Sequence, residues 1–365
     1  VVDTLRGLLP SNPVAAMAEG NVVAVVIFAA FIGNSMKILN KKTKIVFTVS
    51  LLLVLFATIL ISLKLGSIDI SFTELIKGIF TGDSTSNIGI IKDLRMPRVI
   101  IAVLIGANLA ISGVLLQAVI RNPLADPYIT GISSGACSVT VFFMVFVPSV
   151  TTLRPVFGFF GGLICCAIVY LMAYKKGLLP IRIVLAGAAC NALLGGLSSM
   201  FTISAGLGAS NIQKWIMGSL ATVTWDNVYM LLPYSIIGII LSICVSKICN
   251  VLVLGSKNAK SLGFNSDLYM IIVTLIAVFL ASISTAIGGV ISFVGLVVPH
   301  ICRIIVGSNH KYLIPCSGIL GAFLVLFADT IGRVVMKPYE IPVGVVTCII
   351  GAPFFLYLLR RSDLK

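Results

Sequence analysis

The sequence has few charged residues for its length. Only 10% of its 365 residues are Asp, Glu, Lys or Arg, whereas about 25% is usual for a soluble globular domain. Hydrophobic residues make up 59% of the chain, and the mean hydropathy is +1.14. The apolar runs are continuous and do not alternate with polar residues, as the strands of a membrane β-barrel would. We therefore predict an all-α polytopic membrane protein.

Several motifs of enzymes are missing from the sequence. It contains no GxxxxGKS/T phosphate loop, no HExxH and no GxSxG. Neither of its two histidines, His300 and His310, is expected to be catalytic. The nine cysteines form no CxxC pair and no Cys/His cluster with zinc spacing, so we expect buried, reduced thiols and no metal site. The chain is expected not to be an enzyme and to bind no cofactor by itself.

Acidic residues are also scarce, and their scarcity bears on how transport is driven. Of the Asp and Glu residues in the ten-helix set, only Asp329 lies close to membrane depth, and it is near the end of its segment. Ion-coupled symporters need ionisable or polar ligands near the middle of the membrane. The sequence therefore argues against proton coupling and, less firmly, against sodium coupling, because backbone carbonyls can bind sodium. A translocator powered from outside the chain fits best, with an ion-coupled secondary transporter as the alternative.

Ten apolar segments are long enough to cross a bilayer as helices. They lie near residues 45–65, 99–119, 132–150, 155–174, 182–204, 228–248, 268–287, 290–306, 312–332 and 342–359. An eleventh candidate, about 14–33, precedes them. Small residues recur four positions apart, which lets helix backbones approach closely and predicts a compact bundle. These pairs are Gly106/Ala110, Gly131/Gly135 and Gly158/Gly162.

The net charge of +14 comes mainly from basic residues at the ends of the apolar segments. We interpret them as orientation signals and lipid contacts, and not as a nucleic-acid surface. If both ends of the ten-helix set are cytoplasmic, sixteen Lys and Arg residues face inward and nine face outward, with Arg6 before the set. This bias predicts cytoplasmic termini for the ten-helix unit.

Three connections are longer than turns. The segment 64–98 is polar enough to lie outside the bilayer. The segment 207–227 holds both Trp residues and is predicted to be a short interfacial helix, since Trp prefers that depth. The segment 249–267 is predicted to be cytoplasmic and to form two short helices that are broken near Gly255.

Seven stretches, taken in order, identify a family resemblance. They are LRMPR at 94–98, SGVLLQAVIRNPLADP at 112–127, GISSGA at 131–136, KWIMGSL at 214–220, LVLGSKNAKSLGFN at 252–265, ISFVGLVVPHICR at 291–303 and IPVGVVTCIIGAPFFLYLLRR at 341–361. With them, the chain from about Met36 to Arg361 resembles the permease subunit of ABC importers for iron–siderophores, haem and cobalamin, the FecCD family. The resemblance implies ten membrane-spanning helices in the permease fold of type II ABC importers.

The resemblance also implies an assembly and a cargo. Two permease subunits, identical or homologous, would form a central pathway. Two separate ABC ATPase subunits would bind on the cytoplasmic side and use ATP, and an extracytoplasmic substrate-binding protein would deliver the cargo. Ferric siderophore is the first expectation for that cargo, with haem and cobalamin open. The implied location is the bacterial cytoplasmic membrane, and no nucleic-acid partner is expected.

Two groups of residues gain partner-binding roles from the resemblance. Arg95, Arg98 and Arg333 match arginines that pair with glutamates of the binding protein, since arginine forks grip carboxylates at two points. Snorkelling of an arginine at a helix end is the alternative. Residues 252–265 match coupling helices that contact the ATPase, and an ordinary solvated connection is the alternative. The candidate coupling residues are Gly255, Ala259, Ser261, Leu262 and Gly263.

A third group matches a family segment near the pathway. Proline blocks helix hydrogen bonding and small residues leave room, so a gate or packing role is expected. The candidates are Asn122, Pro123, Asp126, Pro127, Gly131, Ser133, Ser134 and Gly135.

Residues 1–35 do not follow the permease pattern. They resemble an internal piece of a sodium-coupled dicarboxylate or cystine symporter. Met36 begins MKILNKKTKIVFTVSLLLV, a short basic lead into an apolar helix. We expect the permease domain to comprise residues 36–365 and the preceding segment to be foreign or fused. The alternative of a secretory signal peptide is disfavoured because no basic region precedes the apolar run.

Overall fold

A computed structural model describes residues 41–65, 89, 91–174, 180–261, 263–336 and 338–361. Three of the predictions fall outside these residues: the candidate span at 14–33, the domain boundary before Met36, and the coupling candidate Leu262. Most of the 64–98 connection also lies outside them. These expectations therefore remain predictions.

The described residues form thirteen α-helices, of which ten are apolar. The ten are α1 (Lys41–Lys64), α2 (Met96–Ile120), α3 (Ile132–Phe146), α4 (Arg154–Ala173), α5 (Pro180–Ser204), α7 (Trp225–Cys244), α10 (Ser266–Gly288), α11 (Val294–Val306), α12 (His310–Val334) and α13 (Val343–Arg361). The others are short: α6 (Ala209–Ile216), α8 (Ser246–Leu252) and α9 (Ser256–Ser261). Seven helices are long and apolar enough to span a membrane, and α3, α11 and α13 are shorter. Each apolar helix coincides with one predicted segment, which confirms the all-α polytopic fold.

Helix α2 lies at the centre of the bundle. Most of its residues are buried, and it packs against α7, α10, α11 and α12. Its sequence is apolar on every side, so it has no face suited to water. A Cβ at Gly106 would overlap the backbone of Gly321 in α12, and one at Gly113 would overlap Gly295 in α11. Glycine therefore allows both neighbours to approach the α2 backbone directly.

A second close contact joins α3, α4 and α10. Gly135 of α3 and Gly161 of α4 face each other so closely that a Cβ on either would overlap the other's carbonyl oxygen. Gly162 leaves room in the same way for the side chain of Ser282 in α10. The compact bundle predicted from small residues is therefore observed. Gly131 has a different role, because it precedes α3 with a left-handed φ of 81°.

Two apolar helices are shorter than predicted, for backbone reasons. Helix α3 ends at Phe146 and not near 150, because Pro148 opens a 3₁₀ turn that continues to Leu153. Helix α11 begins at Val294 and not near 290. Phe293 before it has a φ of 69° and Gly289 a φ of 72°, both outside the right-handed helical region.

The short helix predicted within 207–227 is observed, and its interfacial position remains a prediction. This helix, α6, ends at Ile216, and turns connect it to α7, which begins at Trp225. Trp215 is buried, and its Nε1 donates to the carbonyl of Ile287 at 3.0 Å. The Nε1 of Trp225 donates to the carbonyl of Lys92 at 2.9 Å. Both indoles therefore attach this connection to the bundle.

Candidate functional site

Arginines from α2, from α12 and from the residue just before α2 meet at one end of the bundle. We call Arg95, Arg98, Arg333, Asp329 and Glu340 the arginine cluster. Arg98 contacts both carboxylates: its Nε and Nη2 lie 2.9–3.1 Å from the oxygens of Asp329, and its Nη1 lies 2.8 Å from Oε2 of Glu340. Nε of Arg333 lies 3.2 Å from Oδ2 of Asp329, an ion pair without hydrogen-bond geometry. The cluster thus alternates positive and negative groups.

Two of these arginines, Arg95 and Arg333, also bind the last turn of α1. Arg95 donates from Nη1 to the carbonyls of Leu63 and Lys64, at 2.8 and 3.1 Å. Arg333 donates from Nη2 to the carbonyl and hydroxyl of Ser62, at 3.1 and 2.6 Å. The last carbonyls of a helix have no partner within the helix and carry its partial negative charge, so cations are favourable there. These contacts fix the end of α1 beside α2 and α12.

The structure therefore brings together the three arginines predicted to dock a binding protein. Each is only 6–8% exposed in the single chain, and much of their donor capacity is used inside the protein. Their docking role remains a prediction. Sequence reasoning missed Glu340 and the role of Asp329 as the shared counter-charge. The four-residue spacing of Asp329 and Arg333 on one helix was the available signal.

The segment after α2 forms two tight turns stabilised by its own side chains. Oδ1 of Asn122 accepts from the Leu124 N–H at 2.9 Å, and Oδ1 of Asp126 accepts from the Tyr128 N–H at 2.8 Å. Such Asx turns replace helical hydrogen bonds and stop the chain from continuing as a helix. The hydroxyl of Thr130 donates back to the Asp126 carbonyl at 3.0 Å. The segment is therefore rigidly shaped.

Asp126 is an ionisable group that the fold buries. It is 4% exposed and lies in the connection between α2 and α3. Burial raises the pKa of its carboxyl to about 6, and the N–H groups of Tyr128 and Ile129 partly oppose this rise. Its other oxygen faces Gly295, where a Cβ would come within 2.9 Å of it.

A side-chain pair clamps this segment against the bundle. Arg303 of α11 donates from Nη2 to Oε1 of Gln117 in α2, at 2.7 Å. Nε2 of Gln117 then donates to the carbonyls of Ala125 and Gly295, at 3.3 and 3.2 Å. One glutamine thus joins α2, the 122–127 turn and α11. Gln117 and Arg303 both lie inside the stretches that carry the family resemblance, but no local pattern in the sequence predicts their contact.

The remaining gate candidates are mostly packed inside the protein. Ser133 and Ser134 are 2% and 9% exposed in the first turn of α3. Pro127 is buried and Gly135 packs on α4, whereas Pro123 is exposed. The contacts describe a packing role for most of this group in the single chain. A gating role remains a prediction.

The predicted coupling segment consists of α8 and α9 with Gly255 between them. Gly255 has a φ of 96° and Gly263 a φ of 73°, so both occupy backbone conformations that favour glycine. Ala259 is fully buried and anchors α9 to the bundle, whereas Ser261 is exposed. The break predicted near Gly255 is observed. Contact with an ATPase remains a prediction for all of these residues.

Polar contacts attach this segment to the neighbouring helices. Oδ1 of Asn250 in α8 accepts from the backbone N–H of His310 at 2.9 Å and lies 2.8 Å from its Nδ1. Nδ2 of Asn250 donates to Oδ1 of Asn309 at 3.2 Å. A Cβ at Gly255 would lie 3.1 Å from Nη1 of Arg121, so the end of α2 also lies beside the segment. A force on α8–α9 would therefore reach both α2 and α12.

Helix α5 presents an exposed face of unusual composition. It has the lowest mean hydropathy of the seven long helices, 1.6. A Cβ at Gly195 or Gly196 would have no atom from elsewhere within 4 Å, and Ser199 is exposed. Met200 and Ile203 are exposed on the same helix. A face of small and polar residues next to apolar ones suits helix packing better than contact with lipid tails.

Within the described residues, no group of three or more His, Cys, Asp or Glu side chains could hold a metal ion. Cys302 and Cys316 are buried, while Cys348 is exposed. The expectation that the chain binds no cofactor remains a prediction.

Two family models match the sequence. The model of the FecCD transport family matches residues 51–361. The model of the sodium:dicarboxylate symporter family matches residues 1–63. The second match extends into α1, beyond the 1–35 segment in which the resemblance was recognised.

Curated relatives match over almost their whole length. The Fe(3+)-citrate import system permease protein YfmD of Bacillus subtilis (strain 168) is 38% identical over 329 residues, covering 90% of this chain and 98% of that protein. The protein named probable heme-iron transport system permease protein IsdF of Staphylococcus aureus (strain MSSA476) is 41% identical over 328 residues, covering 90% and 99%.

Solved structures show the same architecture. A metal-chelate type ABC transporter in an inward-facing conformation matches with a TM-score of 0.72 and 31% identity, covering 86% of this chain and 99% of that one. PsaBC from Streptococcus pneumoniae in complex with Fab matches with a TM-score of 0.52 and 15% identity, over 79% of this chain and 95% of that one. The second likeness concerns the fold alone.

Proposed function

Because the chain belongs to the FecCD transport family and is an ABC importer permease, we propose that it carries an iron chelate across the bacterial cytoplasmic membrane. The observation that carries this proposal is the family match over residues 51–361 together with the ten-helix bundle. A ferric siderophore is the first candidate cargo. Relatives named for Fe(3+)-citrate and for heme-iron support an iron-bearing cargo over cobalamin.

The chain works with a second permease subunit, which packs against the exposed face of α5. Small residues at Gly195 and Gly196 leave space for another helix backbone. A pathway between two such subunits needs no chelating side chains in this chain, because the cargo arrives already chelated.

ATP hydrolysis takes place on separate ATPase subunits, which engage α8 and α9. Support comes from the shape of this segment: two short helices, a glycine break with a φ of 96°, and polar links to α12 through Asn250. A rigid attachment is required of a coupling element, because a flexible loop would absorb the motion of the ATPase. The bias of basic residues supports a cytoplasmic location for this end of the bundle and for both termini of the ten-helix unit.

A substrate-binding protein docks at the opposite end through the arginine cluster. The cluster gathers three arginines at one end of the bundle, and guanidinium groups can bind the carboxylates of an acidic partner at two points. Guanidinium groups that are already oriented by internal contacts lose little freedom when they bind a carboxylate.

Uptake measurements test the proposed function. A strain that lacks the transporter, complemented with this permease and its partners, is given ⁵⁵Fe-labelled siderophore, ⁵⁵Fe-citrate, ⁵⁵Fe-haem or labelled cobalamin. We expect uptake of an iron chelate that stops on ATP depletion and survives collapse of the ion gradients. The opposite dependence would instead support an ion-coupled secondary transporter, which the match of residues 1–63 to a symporter family favours.

A further inference from the structure

We propose that Glu340 is an internal substitute for the carboxylate of the docking partner. Its side chain pairs with Arg98 in the free transporter and moves away from Arg98 when the binding protein arrives. This inference rests on the docking role proposed above for the arginine cluster. It adds a residue of the chain itself that competes with the partner for one guanidinium group.

The two carboxylates on Arg98 differ sharply in how firmly they are held. Asp329 is completely buried, contacts both Nε and Nη2 of Arg98, and also pairs with Arg333. Glu340 makes one contact, from Oε2 to Nη1 at 2.8 Å, and its side chain is 42% exposed. A partner's carboxylate can therefore reach the position of Glu340 from solvent, but cannot reach that of Asp329.

The charges favour exchange at this position. Removing Asp329 would leave two buried guanidinium groups without their shared counter-charge, which is strongly unfavourable. Glu340 regains full hydration when it leaves, because it lies at the surface. Once Glu340 has left, the cluster has one negative charge fewer, so Arg98 attracts an incoming carboxylate more strongly than before.

The backbone allows Glu340 to leave without unfolding its neighbours. It lies in the connection between α12 and α13, three residues before Val343. The next residue is fixed independently, because the N–H of Ile341 donates to the carbonyl of Gly332 at 3.0 Å. Displacement can therefore be confined to the Glu340 side chain.

The test compares docking of the binding protein from the same transport system. The wild-type transporter, complete with its ATPase subunits in nanodiscs, is compared with Glu340→Gln, Arg98→Lys and Asp93→Asn. Asp93 is the matched control, since it is an exposed acid two residues before Arg95. We expect Glu340→Gln to bind about 2- to 5-fold tighter, the range that removal of an exposed ion pair corresponds to. Its affinity should also depend more steeply on salt, because docking then forms an ion pair without breaking one.

The outcomes separate this inference from the docking proposal. Tighter, more salt-dependent binding by Glu340→Gln, with Asp93→Asn unchanged, supports the exchange. Equal tightening by both acid variants overturns it, since the effect would then be one of general charge. If Arg98→Lys docks more weakly and Glu340→Gln shows no increase in affinity, the docking role of the arginine cluster is supported and the exchange at Glu340 is overturned. No change in any variant overturns both.

Discussion

At the scale of single residues, two buried acids, Asp329 and Asp126, have contrasting surroundings. Asp329 lies between Arg98 and Arg333 with no exposure to solvent. Asp126 has no basic partner at hydrogen-bond distance among the described contacts, and its hydrogen bonds come from backbone N–H groups. Asp329 therefore compensates the charges of two buried guanidinium groups. Asp126 has no such cation, so its ionised form lowers the stability of the fold.

Replacing Asp329 should therefore destabilise the protein strongly. Asp329→Asn keeps the size of the side chain but leaves two buried guanidinium groups undercompensated, for a loss of about 3–5 kcal/mol. Thermal unfolding of the detergent-solubilised protein measures this as a lower midpoint. Asp226→Asn, at an exposed position in the first turn of α7, should shift the midpoint little. Equal shifts for the two variants would contradict a buried counter-charge at Asp329.

Asp126 should make stability depend on pH between about 4 and 6. Its pKa in the folded protein is about 6, above the usual 3.8, so the folded state binds the proton more tightly than the unfolded state. Stability contributed by the protonated form is therefore lost as the pH rises through this window, by about 3 kcal/mol in total.

The measurement is the difference between two unfolding profiles recorded from pH 4 to pH 7.5. Asp126→Asn keeps the acceptor for the Tyr128 N–H and removes the titrating carboxyl. The stability of this variant relative to the wild type should therefore increase as the pH rises. Asp226→Asn serves as the control and should follow the wild-type profile. Parallel profiles for Asp126→Asn and the wild type would show that the carboxyl is not buried as described.

At the scale of elements, short irregular segments position the long helices. The 122–127 turn is clamped by Gln117 between α2 and α11, and the segment α8–α9 is attached to α12 by Asn250. Their glycines matter where the backbone is left-handed, as at Gly255. The break near Gly255 was predictable from the sequence, because glycine within a polar stretch favours such a turn. The contacts that orient α8 and α9 were not.

Gly255→Ala should weaken binding of the ATPase subunits while leaving the bundle folded. A Cβ at a φ of 96° strains the turn and would come within 3.1 Å of Nη1 of Arg121, so α9 should shift relative to α8. Co-purification of the ATPase with the tagged permease measures the loss, for which we expect a several-fold decrease. Gly208→Ala is the matched control, because Gly208 has a φ of −78° and space for a methyl group. Wild-type recovery with Gly255→Ala would count against the coupling role.

At the scale of the whole molecule, burial is distributed unevenly among the helices. Helix α2 is enclosed by its neighbours, whereas α1 and α5 lie at the periphery. The exposed side of α1 carries large apolar residues such as Leu53 and Phe56, as expected for lipid. The exposed side of α5 carries glycine and serine as well, which is why we place the second permease there.

Adding bulk to α5 should therefore block assembly without unfolding the subunit. Gly195→Leu introduces a side chain where nothing lies within 4 Å in the single chain, but where a partner helix would approach. We expect cross-linking between permease subunits to fall by at least about tenfold, the equivalent of 1.4 kcal/mol. Ala57→Leu on the exposed side of α1 is the control and should leave cross-linking intact. Loss of the folded subunit itself, or equal effects at both sites, would contradict this assignment.

The sequence by itself determined the membrane class, the family, and the number and approximate positions of the ten helices. These follow from local properties, since continuous apolar runs must form helices in lipid and prolines and glycines mark their ends. The tertiary structure decided which distant side chains meet. Arg98 and Asp329 are 231 residues apart in sequence, and only the packing of α2 against α12 makes them a pair. It also decided that the predicted docking arginines are mostly buried, and that an exposed Glu340 shares one of them, because burial depends on neighbours that no local pattern specifies.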